Sequence, residues 1–142
     1  MERFLSQPID VHTISPLSLA FIGDGVYELL VREMLLGGAN RKNGQLHKLS
    51  VSHVCAEAQA AAMQTIMPHL TDAELAVYKR GRNAHTARNE AAYHAATGLE
   101  ALFGYLYLDG RIDRVRELFR IIVEGKDETN TSETQENQTE TV

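Results

Sequence analysis

Apolar and polar positions along the first 124 residues recur with helical rather than strand spacing. Leu17, Ala20, Phe21, Tyr27, Val31, Met34 and Leu35 return every three or four residues, the interval that lines up side chains on one helix face. Ser15 followed by Pro16 marks the start, because Ser caps an early backbone N–H and Pro lacks only a donor the first turn cannot use. Gly37 and Gly38 stop the helix. After the polar connector "NRKNG", residues 45–50 read as a short helix and the alanine-rich 51–67 as a longer one ended by Pro68. Thr71 and Glu74 form a capping box, with Leu70 and Leu75 placed as a hydrophobic staple, and open a helix to about residue 79. Residues 80–88 read as a polar loop around Gly81. Asn89 caps a helix that reaches residue 108, Asp109 and Gly110 turn the chain, and residues 111–123 form the last helix. No repeat and no strand pattern interrupts this series, so the expected fold is all-α.

Two carboxylates interrupt the apolar pattern. On a helical wheel Asp24 shares the stripe of Leu17, Ala20, Phe21, Tyr27, Val31 and Leu35, and no other Asp, Glu, Lys or Arg lies between Val11 and Tyr27. A carboxylate on a core-facing stripe costs several kcal/mol unless a cation or donors compensate it. Gly23 and Gly25 flank it and permit close approach of another backbone or a ligand, and Glu28, one turn on, is placed to share the site. The second case is "AAYHAATGLEALFGYLYL", residues 91–108, apolar almost all round and hence central, in which Glu100 is the only acid or base. Two buried acids repel unless one is protonated or a cation sits between them. Oxygen-only ligands point to Mg²⁺. Alternatively, Asp24 meets a buried Arg and Glu100 a tyrosine hydroxyl; spacing alone leaves both readings open.

Composition narrows the setting. At 142 residues with 44% hydrophobic positions, the chain has the size of one domain with a single core. The net charge of −5 speaks against a polyanionic partner until it is divided along the chain. Residues 125–142 hold one base, Lys126, and five acids, a net of −4, so 13 bases and 14 acids remain for residues 1–124. A near-neutral body can carry a basic face. The division is therefore a domain over 1–124 and an acidic tail over 125–142, expected to be disordered because it has almost nothing to bury. A lone cysteine, Cys55, excludes an internal disulfide and fits a reducing compartment. No cationic leader and no apolar run of roughly 20 residues is present, so a soluble cytoplasmic protein is expected.

The two acid-bearing stretches resemble known ones. "LAFIGDGVYELLV" is similar to the signature helix of the ribonuclease III family, and "TGLEALFGYLYLDG" to its second catalytic helix. Between them, "LHKLSVSHVCAEAQAAAM" and "KRGRNA" resemble the intervening segments of one branch, Mini-ribonuclease III. The likeness covers about residues 10 to 122. It implies a ribonuclease III-type helical domain that pairs as a two-fold homodimer and cuts double-stranded RNA, leaving a 5′-phosphate and a 3′-hydroxyl. The branch's role is to mature precursor 23S ribosomal RNA, with a ribosomal protein on the substrate as a further candidate partner. By position, Asp24 and Glu100 are the catalytic, Mg²⁺-binding acids, with Glu28 as a third candidate. Two acids of the larger enzymes are missing, since Ala20 and Thr97 stand in their places. The resemblance moves Lys79, Arg80, Arg82 and Asn83 toward RNA contact; Arg41, Lys42, His47 and Lys48 form a second basic group. The competing reading is a catalytically inactive RNA-binding or ribosome-assembly module of the same fold. His53 and Glu57 lie one turn apart, but no third metal ligand accompanies them, and they read as ordinary surface or core residues.

Overall fold

The computed structural model describes residues 3–38, 40–84 and 90–139, with side chains as far as Lys126. Among these residues every regular element is helical, as expected. A 3-10 turn at Val11–Thr13 leads into α1 (Pro16–Leu36), α2 (Asn43–Val54) and α3 (Ala56–Ile66). A second turn at Met67–His69 precedes α4 (Asp72–Arg82), α5 (Ala91–Leu108) and α6 (Ile112–Thr139). No helix among the described residues is long and apolar enough to cross a membrane.

Helix α5 is the axis of the molecule, with α1, α3, α4 and α6 packed around it. Between positions 96 and 106 every residue except Glu100 is buried. Glycines set how close the neighbours come. A Cβ on Gly104 would run into the carbonyl oxygen of Leu19, and one on Gly23 into the carbonyl oxygen of Glu100 and to 2.8 Å from the backbone nitrogen of Gly104. Helices α1 and α5 thus cross backbone against backbone, at the turns that carry Asp24 and Glu100. Below the crossing, the Tyr27 ring stands edge-on to Phe103 and Phe119, with centroids 5.2 and 5.7 Å away.

Local signals in the sequence account for most element starts. Ser15 accepts the backbone N–H of Ser18 at the head of α1. At α4 both halves of the capping box form: Thr71 Oγ1 accepts from the Glu74 N–H at 3.2 Å, and Glu74 Oε1 accepts from the Thr71 N–H at 2.9 Å. Glu74 is then buried, 2% exposed, beneath Arg114 of α6. The guanidinium donates to both of its carboxylate oxygens at 2.8 Å and to the His69 carbonyl at 2.7 Å.

Three boundaries differ from the sequence pattern. The short helix expected over 45–50 runs from Asn43 to Val54, and the one expected over 51–67 starts only at Ala56, after Cys55, whose ψ of 159° is extended. The last turn of α2 is made of weak helix formers, among them Ser52, whose hydroxyl donates to the Leu49 carbonyl at 2.6 Å. Helix α4 continues past residue 79 to Arg82, because Gly81 faces α5: a Cβ there would lie 2.7 Å from Cβ of Ala101 and 3.0 Å from Cα of Gly98. Helix α6 passes the boundary drawn at residues 124 and 125, and Gly125 packs so tightly that a Cβ would lie 2.7 Å from Cγ2 of Thr65. The expected cap Asn89, with Arg88, lies outside the described residues.

Candidate active site

The stripe that buries α1 is Leu19, Ala20, Gly23, Tyr27, Val31 and Leu35, which corrects the wheel in one respect. Leu17 and Phe21 are 45% and 84% exposed, and Asp24 is exposed with them. Asp24 therefore stands at the edge of the α1–α5 crossing rather than inside it. Its neighbour Gly23 rests on the backbone of Glu100, which brings the two acids to one place.

Their electrostatics are those of like charges held together. Partial burial, and then the charge of Asp24, push the Glu100 carboxyl from its ordinary 4.5 up to about 7. Partial burial, and then Glu28, also raise Asp24. Among the described residues no ion pair or hydrogen-bond donor meets either carboxylate, so neither the buried Arg nor the tyrosine hydroxyl offered as compensation is there. Glu74 supplies the contrast within the same molecule. It is more deeply buried, yet Arg114 and the Thr71 backbone together hold it below the usual carboxylate range. Glu100 has no such partner among the described residues.

That donor set suits a hard divalent cation, which takes carboxylate oxygens and keeps several waters. Glu28 is close enough to raise Asp24, but its Oε1 accepts from Arg32 at 2.7 Å. Among the described residues no three His, Cys, Asp or Glu side chains converge. Ala20 is buried in the core, and the Thr97 hydroxyl donates to the Tyr93 carbonyl at 3.0 Å.

The basic candidates divide by what they touch. Lys79, Arg80 and Arg82 occupy the last turn of α4, not a loop, where cations also suit the helix dipole. Lys79 and Arg80 are exposed. The Arg82 guanidinium lies over the Tyr78 ring at 5.6 Å and donates from Nε to Asn83 Oδ1 at 3.2 Å. Gly81, between them, lies on Gly98 and Ala101 of α5, two positions and one position from Glu100 in sequence. Arg41 donates to the Leu35 carbonyl at 2.7 Å and so closes the end of α1. Lys42, His47 and Lys48 are exposed on α2 or at its cap, and His47 borders a cavity of about 330 Å³ that Glu28 and Arg32 also line.

With this geometry in place, comparison with known proteins is decisive. Residues 17–111 match the Ribonuclease III domain. The chain belongs to the ribonuclease III family. A Mini-ribonuclease 3 from Symbiobacterium thermophilum is 45% identical over 113 residues, covering 76% of this chain and 87% of that protein. The Mini-ribonuclease 3 of Brevibacillus brevis is 44% identical over 125 residues, covering 82% and 93%. That of Enterococcus faecalis is 38% identical over 128 residues, covering 85% and 97%. The crystal structure of a Fusobacterium nucleatum protein superposes with a TM-score of 0.74 at 28% identity, over 84% of this chain and 99% of that one. This ribonuclease III-family chain thus groups with the Mini-ribonuclease 3 proteins and is an endoribonuclease. What the sequence pattern does not disclose is the role of Gly104, whose contact with Leu19 fixes the crossing on which both acids sit.

Proposed function

We propose that the chain is a Mg²⁺-dependent endonuclease of double-stranded RNA that matures the ends of precursor 23S ribosomal RNA, working in the cytoplasm as a homodimer. The observation that carries this reading is the coupled, uncompensated pair Asp24 and Glu100 beside the basic last turn of α4.

Asp24 and Glu100 would hold the ion. Bound there, Mg²⁺ supplies an activated water and neutralises charge on the scissile phosphate. Glu100, raised to about 7, would have to give up its proton to serve as a ligand, and near neutral pH the cost of that loss would be small. Lys79 and Arg80 reach phosphates along the duplex, and Arg82 with Asn83 shapes the edge of the same turn. Water adds to the phosphorus as the bond to the 3′ oxygen breaks, so that the water oxygen stays on the 5′-phosphate and a proton passes to the departing 3′-hydroxyl. Lys42, His47 and Lys48 extend the cationic surface, while Arg41 acts mainly on its own helix end.

One such site cuts one strand, and a two-fold pair of sites serves both strands of a duplex. The exposed face of α1 supports pairing. Phe21, Leu17 and Leu29 are 84%, 45% and 50% exposed on it, next to a mainly apolar cavity of about 630 Å³ bordered by Val26, Leu30, Tyr107 and Val115. An apolar face with an apolar hollow beside it is the self-complementary surface that an isologous dimer needs. The test is incubation with precursor 23S RNA with and without Mg²⁺, followed by mapping of the new ends. Metal-dependent ends bearing 5′-phosphates at paired positions support the reading; intact precursor under both conditions contradicts it.

A further inference from the structure

A second group of polar side chains lies on the far side of Tyr27, where α6 closes over α2 and α3. Two adjoining cavities of about 250 and 220 Å³ share Tyr27, His53, Ile122 and Lys126 as walls, and Arg41 borders the second. Lys126 Nζ stands 3.2 Å from His53 Nδ1. The contact of Gly125 with Thr65 fixes α6 at that height. Among the described lining residues three carry basic nitrogen and none carries a carboxylate. Burial, and then Lys126, lower the proton affinity of His53.

Tyr27 adds an observation independent of charge. It is only 2% exposed, and its hydroxyl makes no hydrogen bond to a described residue. Among the described residues no enclosed side-chain oxygen or nitrogen is left without a partner, so that hydroxyl keeps an opening, and Tyr27 lines both cavities. Burial raises its pKa, so it stays a neutral donor.

We propose that this cleft is a binding site for the phosphate group of a small molecule, separate from the carboxylate site. Lys126 and Arg41 supply charge, His53 donates once an anion draws a proton onto it, and the Tyr27 hydroxyl donates from the floor. Each cavity has room for a phosphate group but not for a duplex.

The test uses the full chain with EDTA, to silence the carboxylate site. Inorganic phosphate, pyrophosphate, guanosine diphosphate and a short 5′-phosphorylated oligonucleotide are titrated by calorimetry and by the NMR signals of the His53 imidazole. Saturable binding of a free phosphate compound that shifts His53 and weakens at least tenfold in Lys126→Met supports the proposal. The milder Lys126→Gln, and His53→Gln in the folded state confirmed by circular dichroism, should show the same loss. Binding that is unchanged in these variants, or no saturable binding of any free phosphate compound, overturns it. Retention of the oligonucleotide alone also overturns it in favour of an RNA end.

Discussion

Replacing Glu100 by Gln should stabilise the metal-free protein, by an amount that depends on pH. An ordinary glutamate titrates near 4.5 and Glu100 at about 7, so folding keeps its proton on across that interval. Below pH 4.5 the group is protonated in both the folded and unfolded states and makes no difference. Between 4.5 and 7 the native state binds more protons than the unfolded one, so stability declines as pH rises; above 7 the loss is complete. At about 1.4 kcal/mol per pH unit the whole interval is worth about 3 kcal/mol. Residual solvent contact screens the charge and reduces that to roughly 2 kcal/mol. Glutamine keeps the shape and removes the penalty. Urea unfolding in EDTA from pH 4 to 8.5 should give matching curves at pH 4 and a variant more stable by roughly 2 kcal/mol at pH 8. On the proposed metal role, added Mg²⁺ should then favour the wild type alone, through binding to the native pair. A wild type that is the more stable protein at pH 8 without metal, or a difference that does not change with pH, would refute the argument.

Gly104→Ala should destabilise by roughly 1–2 kcal/mol in urea, because overpacking against the Leu19 carbonyl outweighs the helix propensity gained; unchanged stability would mean a looser crossing. Arg114→Ala should cost roughly 3 kcal/mol at pH 7 by stranding Glu74. Since Glu74 titrates below its ordinary value, the stability it lends is full above pH 4.5 and fades as pH falls through the lowered value, so the gap should narrow in acid; a constant gap would point to lost packing. Charge reversal at Arg80 and Arg82 together should weaken binding of double-stranded RNA and flatten its salt dependence, measured by filter binding; an unaltered slope would leave that turn a solvated helix end.

Signals carried within a few residues were legible before any coordinates: the Ser15 cap, the Thr71–Glu74 box and the apolar run around Glu100 all sit where the pattern puts them. Gly23 beside Asp24 was legible as a close-approach position and proves to be one, whereas no described residue comes within 4 Å of where a Cβ on Gly25 would be. The wheel failed at Leu17, Phe21 and Asp24 for a physical reason. Periodicity marks an apolar face but not whether the same chain covers it, and α5 covers only part of that of α1. Helix α4 ran longer than its pattern because tertiary contact at Gly81 carried it along α5, whereas the extended residue Cys55, just before the alanine-rich run, broke its helix locally. Partnerships between distant positions, Glu74 with Arg114 and His53 with Lys126, leave no trace in spacing. For the same reason sequence could list Asp24 and Glu100 as candidates but could not exclude private partners for each.

The claim that these two acids act together on one ion is tested most directly by cleavage of a double-stranded RNA across a Mg²⁺ titration. Wild type, Asp24→Asn and Glu100→Gln are compared, each shown to be folded and in the same oligomeric state. Metal-dependent cleavage by the wild type and none by either variant at any Mg²⁺ concentration is the predicted result. Cleavage at the wild-type rate by either variant would contradict it.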